Sequence, residues 1–461
     1  MWLAAVLAGL TLVSAVEWSR FHQSAPIAIA VLPLLNLSAD HANDYFADGL
    51  TSEIIRNLSI IDGLAVRSQT SSFAFKGKPQ KASEAGRQLA ADYILEGSVL
   101  HSDYRLRIDA QLVRVRDDFS LWSGRYDREL NDVFAIQDEI SRGIVNGLRL
   151  KLGRGRRRYE TSGEAYDLYL RARAEESRTG TYDRAAGLFG EAIEKDPSFA
   201  PAYEGLAAAF ARRAGAFAFD RTDALAKMKT AAEKAIQLDP MLAEAHSALG
   251  ELYARENQWE QSERSFRRSI EIDPNRGMSY VHFASDVLLP MGRVEEAIQK
   301  MRVAEKADPL SSEVHFYLAW VLLSASRYEE AAGQCQKLPE EYKYKNWCLG
   351  RAWLGQGRIE EAIRGLQAEG GDGEQGSRGY GLARAGRRYE AERLADASPS
   401  PFTQSLIFAG LGDKERTFEA LDRATALGAI RIGRMLTFPE YGLLRGDPRV
   451  KALRRKAGLP D

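Results

Sequence analysis

Residues 243–274 read AEAHSALGELYARENQWEQSERSFRRSIEIDP. Small and large apolar residues recur at helical spacing through the first and last thirds, and a polar break at Glu256–Gln258 separates them. The stretch therefore predicts two antiparallel helices. Alanines, serines and Gly250 allow close approach, Leu249, Tyr253 and Phe266 fill the space between, and Pro274 stops the second helix. The terminal Asp-Pro recurs at Asp196-Pro197, Asp239-Pro240, Asp273-Pro274 and Asp308-Pro309, with steps of 43, 34 and 35 residues between prolines. A fixed step of this size marks a solenoid.

The side chains repeat in register. Ala284, Leu288, Ala297, Ala304 and Pro309 form the next unit, with Leu318-Ala319, Leu322 and Ala331, then Leu349-Gly350, Trp353 and Ala362, extending the series. A 34-residue period with these positions resembles the tetratricopeptide (TPR) repeat. Tyr166–Pro197 makes an earlier unit, and 376–398 and 401–428 make degenerate later ones, for about eight in all. The longer first step places an inserted loop near Ala214–Thr222. An all-α TPR solenoid over 161–461 is expected. The glycine-rich GGDGEQGSRGYG at 370–381 reads as a flexible loop between repeats, since it lacks the order and the preceding strand of a phosphate-binding loop. The tail LLRGDPRVKALRRKAGLP reads as a solvated capping helix.

Residues 26–150 follow another pattern. Ile27–Leu35 is a continuous apolar run suited to a strand covered on both faces. Phe46, Leu50, Ile54, Leu58 and Ile61 follow at helical spacing; Tyr104–Leu112 alternates as a half-exposed strand, paired with Phe119–Tyr126 across Asp117-Asp118. The predicted order β-α-β-α-β-β-β-α gives a small α/β domain, a mixed sheet with helices packed on it. The strings IAVLPLLNLSADHANDYFADGLTSEII, SSFAFKGK, DYILEGSV, LWSGRYDREL and DVFAIQDEIS closely resemble the TolB amino-terminal-like domain of bacterial membrane-linked signalling proteins that also carry TPR arrays. The resemblance implies a non-catalytic accessory module at or beyond the inner membrane, near an output domain of the transcription-regulator or adenylate cyclase type.

Across 461 residues, 63 Lys and Arg balance 64 Asp and Glu, and 45% of residues are hydrophobic. Disordered and polytopic membrane classes are excluded, and the charge balance gives no support to wholesale nucleic-acid binding. Lys151, Arg154, Arg156, Arg157 and Arg158 are uninterrupted by an acid; with Gly153 and Gly155 they read as a basic linker over 151–160. Anionic lipid is the next reading for this stretch, and nucleic acid is unlikely. Residues 1–16, MWLAAVLAGLTLVSAV, are uncharged and read as a short membrane anchor, with Trp18 and Arg20 at the interface; Val13-Ser14-Ala15 would suit a cleaved signal. The expected location is the inner membrane, single span, with the soluble part extracytoplasmic. Cys335 and Cys348 read as two reduced core thiols.

Catalytic, metal and cofactor sites are expected to be none. HExxH, GxSxG, Walker and kinase signatures are lacking, and the six histidines are scattered without an i, i+4 pair. His246 falls on a packing position of its repeat. Function is expected on the solenoid's concave face, where positions 2, 5, 9 and 12 of each first helix line up. Those positions are Glu244, Ser247 and Glu251, then His282 and Asp286, then Phe316 and Trp320, then Tyr344, Trp347 and Arg351. Acidic and polar at one end, aromatic with an arginine at the other, the face suits a peptide or protein partner, although Phe316, Trp320 and Trp347 could equally pack between repeats.

Overall fold

Pro33 has no N–H to donate, and it divides the apolar run at Ile27–Leu35. β1 (Ile27–Val31) ends before it, and a two-residue β2 (Leu35–Asn36) resumes beyond it against the next strand. The computed structural model describes residues 26–38, 43–78, 81–102, 105–129, 132–148, 159, 161–176, 180–215, 221–366 and 371–460. Met1–Val16, Lys151–Arg158 and the centre of the loop expected near Ala214–Thr222 lie outside them. Among the described residues no helix is long and apolar enough to cross a membrane.

The sheet is mixed, as expected. With β3 (Leu64–Val66), β4 (Tyr93–Ser102), β5 (Arg105–Arg114) and β6 (Phe119–Glu129), its order is β3-β1-β4-β5-β6, β2 pairing with β4. β1 runs parallel to β3 and β4, whereas β4, β5 and β6 are antiparallel. β1 is buried on both faces. Ile29 and Val31 pack beneath α1 (Asp44–Ser59), and Ala30 packs with Phe75, Leu89 and Ile94, beside the short α2 (Gln69–Phe73) and α3 (Ala82–Gln88). α4 (Val133–Gly147) adds Val133, Ile136, Ile140 and Ile144 at helical spacing to the first face.

Among the described residues, eight helix pairs follow. They begin with Gly163–Glu176 and Tyr182–Lys195, and end with Pro401–Gly410 and Lys414–Ala424. Within pairs, glycines set the approach: a Cβ on Gly250 would lie 2.9 Å from the Phe266 ring, and one on Gly350 would lie 2.5 Å from Leu366. The two halves share a core. Phe46, Leu50 and Ile54 of α1 belong to one cluster with Tyr166, Tyr169, Leu170 and Phe189 of the first helix pair. Gly49 is where Leu170 seats, since a Cβ there would lie 2.5 Å from it.

Two expectations are corrected and a third is extended. The glycine-rich segment is a helix, Asp372–Arg384, rather than a flexible loop. Its glycines are contact positions, for a Cβ on Gly379 would lie 2.4 Å from Ile407 and one on Gly376 would lie 2.9 Å from Leu406. Helix propensity is sacrificed for close packing. Accordingly Gly379→Ala should lose about 1–3 kcal/mol in urea unfolding through overpacking. Gly187→Ala, with nothing within 4 Å of its Cβ, should gain about 0.5–1 kcal/mol.

The second correction concerns the cysteines. Cys335 and Cys348 are fully buried but joined in a disulfide, with Cα atoms 5.8 Å apart. Packing of Tyr328–Gln336 against Lys345–Gly355 brings them together, which a separation of 13 residues does not reveal. The capping helix expected in the tail, Arg449–Lys456, is present, with its basic residues largely exposed, and it also reaches inward. It buries Leu453, and Ala457 and Leu459 are buried beyond it. Gly458 accepts a hydrogen bond from Trp259 Nε1 at 2.9 Å. The tail packs on the last pair, where Arg449 meets Glu415 and lies over Phe418 and Lys456 meets Asp422, and it also reaches back to the repeat at 243–274.

Candidate interaction groove

First helices of successive pairs meet through some of the 2, 5, 9 and 12 positions of the expected face: Glu251 reaches His282, and Phe316 packs on Tyr344 and Trp347. The chain itself covers much of that face.

At the amino-terminal end, α1 lies against it. Glu244 is buried beneath Arg56, whose Nε is 3.4 Å from it, and Arg276 approaches from the other side at 3.5 Å. Arg56 also reaches Glu53 at 3.5 Å and donates to the Tyr169 hydroxyl at 3.0 Å. Tyr169 in turn donates to Glu53 at 2.7 Å. Further along, Asn275 donates to the carbonyls of Ser59 and Leu64, and Ser71 bonds to Asp308 and accepts from the Leu310 amide. Ser247 is buried on the same face.

Glu251 and His282 pair across adjacent repeats, Oε1 to Nδ1 at 2.7 Å. Burial alone would lower the imidazole pKa, but the charge of Glu251, its hydrogen bond, and the charges of Asp286 and Glu313 push it up to about 9. Burial would raise the Glu251 carboxyl, and His282 with Arg255 and Arg212 instead brings it down to about 2. The sign follows from linkage. His282 stabilises the fold fully below its ordinary 6.5 and loses that contribution as pH rises towards 9. Glu251 contributes above its ordinary 4.5 and loses that as pH falls towards 2. The pair should therefore stabilise most between pH 4.5 and 6.5. His282→Gln should remove on the order of 1–3 kcal/mol in that window and flatten the alkaline limb of a stability–pH curve, measured by urea unfolding.

Asp286 sits in a π-helical turn, Phe283–Leu288. The helix Ala429–Leu436, from beyond the last pair, enters the groove here. Arg434 pairs with Asp286, and its Nε donates to the Ser285 carbonyl at 2.7 Å. Phe438 then meets Trp320 with centroids 6.0 Å apart, and Glu440 meets Arg351 at 2.6 Å. Arg351 is 2% exposed, stacked 3.8 Å from the centre of Phe438 and 5.2 Å from that of Trp347. Phe316, Trp320, Tyr344 and Trp347 form one aromatic cluster, with Phe316 centroids 5.7, 5.2 and 5.8 Å from the other three. Phe316 and Trp347 are buried and Trp320 half-buried, whereas Tyr344 remains 44% exposed.

The expected residues thus fall in three groups. Glu244 and Ser247 lie towards the α/β domain, and Glu251, His282 and Asp286 form a charged middle. Phe316, Trp320, Tyr344, Trp347 and Arg351 gather around the returning tail. Residues not singled out from sequence are Arg56, Arg434, Phe438 and Glu440. The signal for Arg434 and Phe438 was weak: Ile430, Arg431, Ile432 and Arg434 alternate between apolar and basic without marking which surface receives them. His246 is half-buried, its Nε2 3.0 Å from the Pro240 carbonyl.

A cavity of about 420 Å³ stays open beside this seam, lined by Thr70, Glu313, Phe316, Tyr317, Tyr342 and Tyr344 among others. Another, of about 1040 Å³, lies in the α/β domain between the Leu32–Asn36 loop, Lys76–Lys78 and the outer face of β4–β6. Several of its polar groups are mutually paired: Gln111 with Glu96, Arg125 with Asp109, Lys76 with Asp48.

Tetratricopeptide-repeat family models match residues 243–276 and 284–345. The chain carries tetratricopeptide repeats. A putative adenylate cyclase 3 of Rhizobium meliloti (strain 1021) is 43% identical over 186 residues, which are 39% of this chain and 32% of that protein. The protein O-mannosyl-transferase Tmtc1 of Drosophila melanogaster is 29% identical over 102 residues, 22% of this chain and 12% of that one. The chain thus spans about a third of the first relative and about an eighth of the second. Among solved structures, it is similar to YrrB, a TPR protein with an unusual peptide-binding site, at 18% identity and TM-score 0.30 over 39% of this chain and 90% of that one. It is also similar to the APC/C hetero-tetramer Cut9–Hcn1, at 14% identity and TM-score 0.42 over 63% and 55%.

Proposed function

We propose that the chain is a non-enzymatic interaction scaffold whose TPR groove binds a protein or peptide partner, with a TolB amino-terminal-like domain docked at one end. The observation that carries this reading is the TPR array itself, with its first helices aligning charged and aromatic side chains along one face. Scaffolds of this kind bind by presenting an extended concave surface. A photo-cross-linking amino acid placed at Tyr344, exposed in the groove, tests it in living cells. A discrete protein adduct at 344, absent at the still more exposed Tyr389, is expected; the same adducts at both positions would overturn the reading.

A second reading is favoured by the relative named a putative adenylate cyclase: the chain is the sensory or regulatory half of a signalling protein whose output domain lies elsewhere. Measuring cyclase activity with and without this chain distinguishes the two. The location we propose is the inner membrane, tethered by residues 1–16, with the remainder extracytoplasmic. The Cys335–Cys348 disulfide supports an oxidising compartment. Protease shaving of spheroplasts should degrade the chain, and a full-length protein soluble in the cytoplasm would contradict the proposal.

A further inference from the structure

We propose that the open cavity beside the aromatic seam binds the guanidinium group of an arginine side chain presented by a partner polypeptide. This rests on the scaffold reading and specifies what that scaffold recognises. Three tyrosines, Tyr317, Tyr342 and Tyr344, and Phe316 line the cavity, and Glu313 stands at its edge. Glu313 is exposed and makes no ion pair among the described residues. The three tyrosine hydroxyls make no hydrogen bond among the described residues. Ring faces attract cations of low charge density, while a carboxylate and free hydroxyls accept N–H bonds. A guanidinium satisfies both, being flat enough to stack and carrying five donors in its plane.

The chain contains the same arrangement in filled form one repeat away. Arg351 lies on Phe438 at 3.8 Å and near Trp347 at 5.2 Å, while its Nη2 and Nε bond to Glu440 at 2.6 and 2.8 Å. The open cavity has the aromatic rings and the glutamate, and no arginine lines it; the nearest guanidinium among the described residues, Arg434, lies 5.8 Å from the Tyr317 ring centre and leaves Tyr342 and Tyr344 without one. Lys343, whose Nζ is 5.3 Å from the Tyr344 ring centre, is not among its lining residues. Burial, followed by the charge of Glu313, pushes the Tyr342 hydroxyl up, so that ring stays neutral.

A side chain reaching in from outside suits the surroundings better than an extended segment. α1 occupies the groove on one side, and the segment 429–444 occupies it on the other. Thr70 of α2 closes a wall, and Tyr344, 44% exposed, leaves the mouth open.

Calorimetric titration of the full chain with acetyl-Gly-Arg-Gly-amide, and with its lysine and citrulline counterparts, tests the assignment. The arginine peptide should bind saturably below about 10 mM, and citrulline, of the same shape without charge, should bind about 10-fold more weakly or worse. Glu313→Gln, at an exposed position, should keep the melting transition and lose a similar factor for arginine; Tyr389→Ala should change nothing. Equal binding of citrulline or lysine, no saturable arginine binding, or an unchanged affinity in Glu313→Gln would each overturn the proposal. A partner that cross-links at 344 and binds equally well once its arginines are replaced would leave the scaffold reading standing and remove this one.

Discussion

Arg351→Leu is expected to destabilise the protein by about 3–5 kcal/mol. The guanidinium is 2% exposed and lies on Phe438, while the Glu440 side chain that it bonds is only 11% exposed. Removing it leaves a carboxylate with little water and no countercharge. Truncation of one partner costs more than the net worth of the pair, because the desolvation of the survivor is no longer offset. The double variant Arg351→Leu with Glu440→Leu should therefore recover a large part of the loss, since neither charge then remains. Equilibrium urea unfolding of the three variants checks this. If Arg351→Leu behaves as an exposed substitution, within about 0.5 kcal/mol of the parent, the tail does not lie against this repeat.

The second large effect belongs to the opposite end of the groove. Arg56→Gln should cost about 3 kcal/mol or more, because Glu53 and Glu244 are both buried against its side chain. Glu244→Gln should cost less, as it leaves Arg56 the carboxylate of Glu53 and also relieves the burial of a charge. The two are coupled, and a double-mutant cycle should return an interaction of about 1–3 kcal/mol. Arg56 is on α1 and Glu244 on the third helix pair, so additivity would mean that the α/β domain and the solenoid fold without this contact.

Local patterns were easy to read in the sequence, and returns of the chain were not. The Asp-Pro steps locate the helix pairs because each second helix must stop before the next begins, a constraint within some 34 residues. β1 was legible because only a strand buried on both faces tolerates Ile27–Val31 without a polar position. Pro33 carried its own warning. The glycine-rich helix was misread because glycine denotes both flexible turns and close helix contacts, and only the partner, here Leu406 and Ile407, decides between them. The disulfide depends on how Tyr328–Gln336 packs on Lys345–Gly355, a tertiary fact.

The groove positions show the same division. Helical spacing places Glu244, Asp286, Trp320 and Arg351 on one stripe, and each of them meets a residue from a distant segment of the chain. The identity of what faces it depends on Arg56, Arg434, Phe438 and Glu440, which come from segments far away in the chain. Each is an ordinary surface-type or apolar residue in its own local pattern. The charges do match pairwise, Arg56 to Glu244, Arg434 to Asp286 and Glu440 to Arg351, yet a single sequence offers many such complementary pairs.

The central claim is that the chain's own carboxy-terminal segment lies in the TPR groove. The contact between Arg434 and Asp286 tests it most directly, since both side chains are largely buried and no local structure joins them. Arg434→Asp and Asp286→Arg should each destabilise the protein, by about 2 kcal/mol or more, through like charges in a confined space. The charge-swapped double variant should regain at least half of the summed loss in urea unfolding. If the two substitutions instead add, with no coupling beyond about 0.5 kcal/mol, the segment 429–444 does not occupy the groove and the account is wrong.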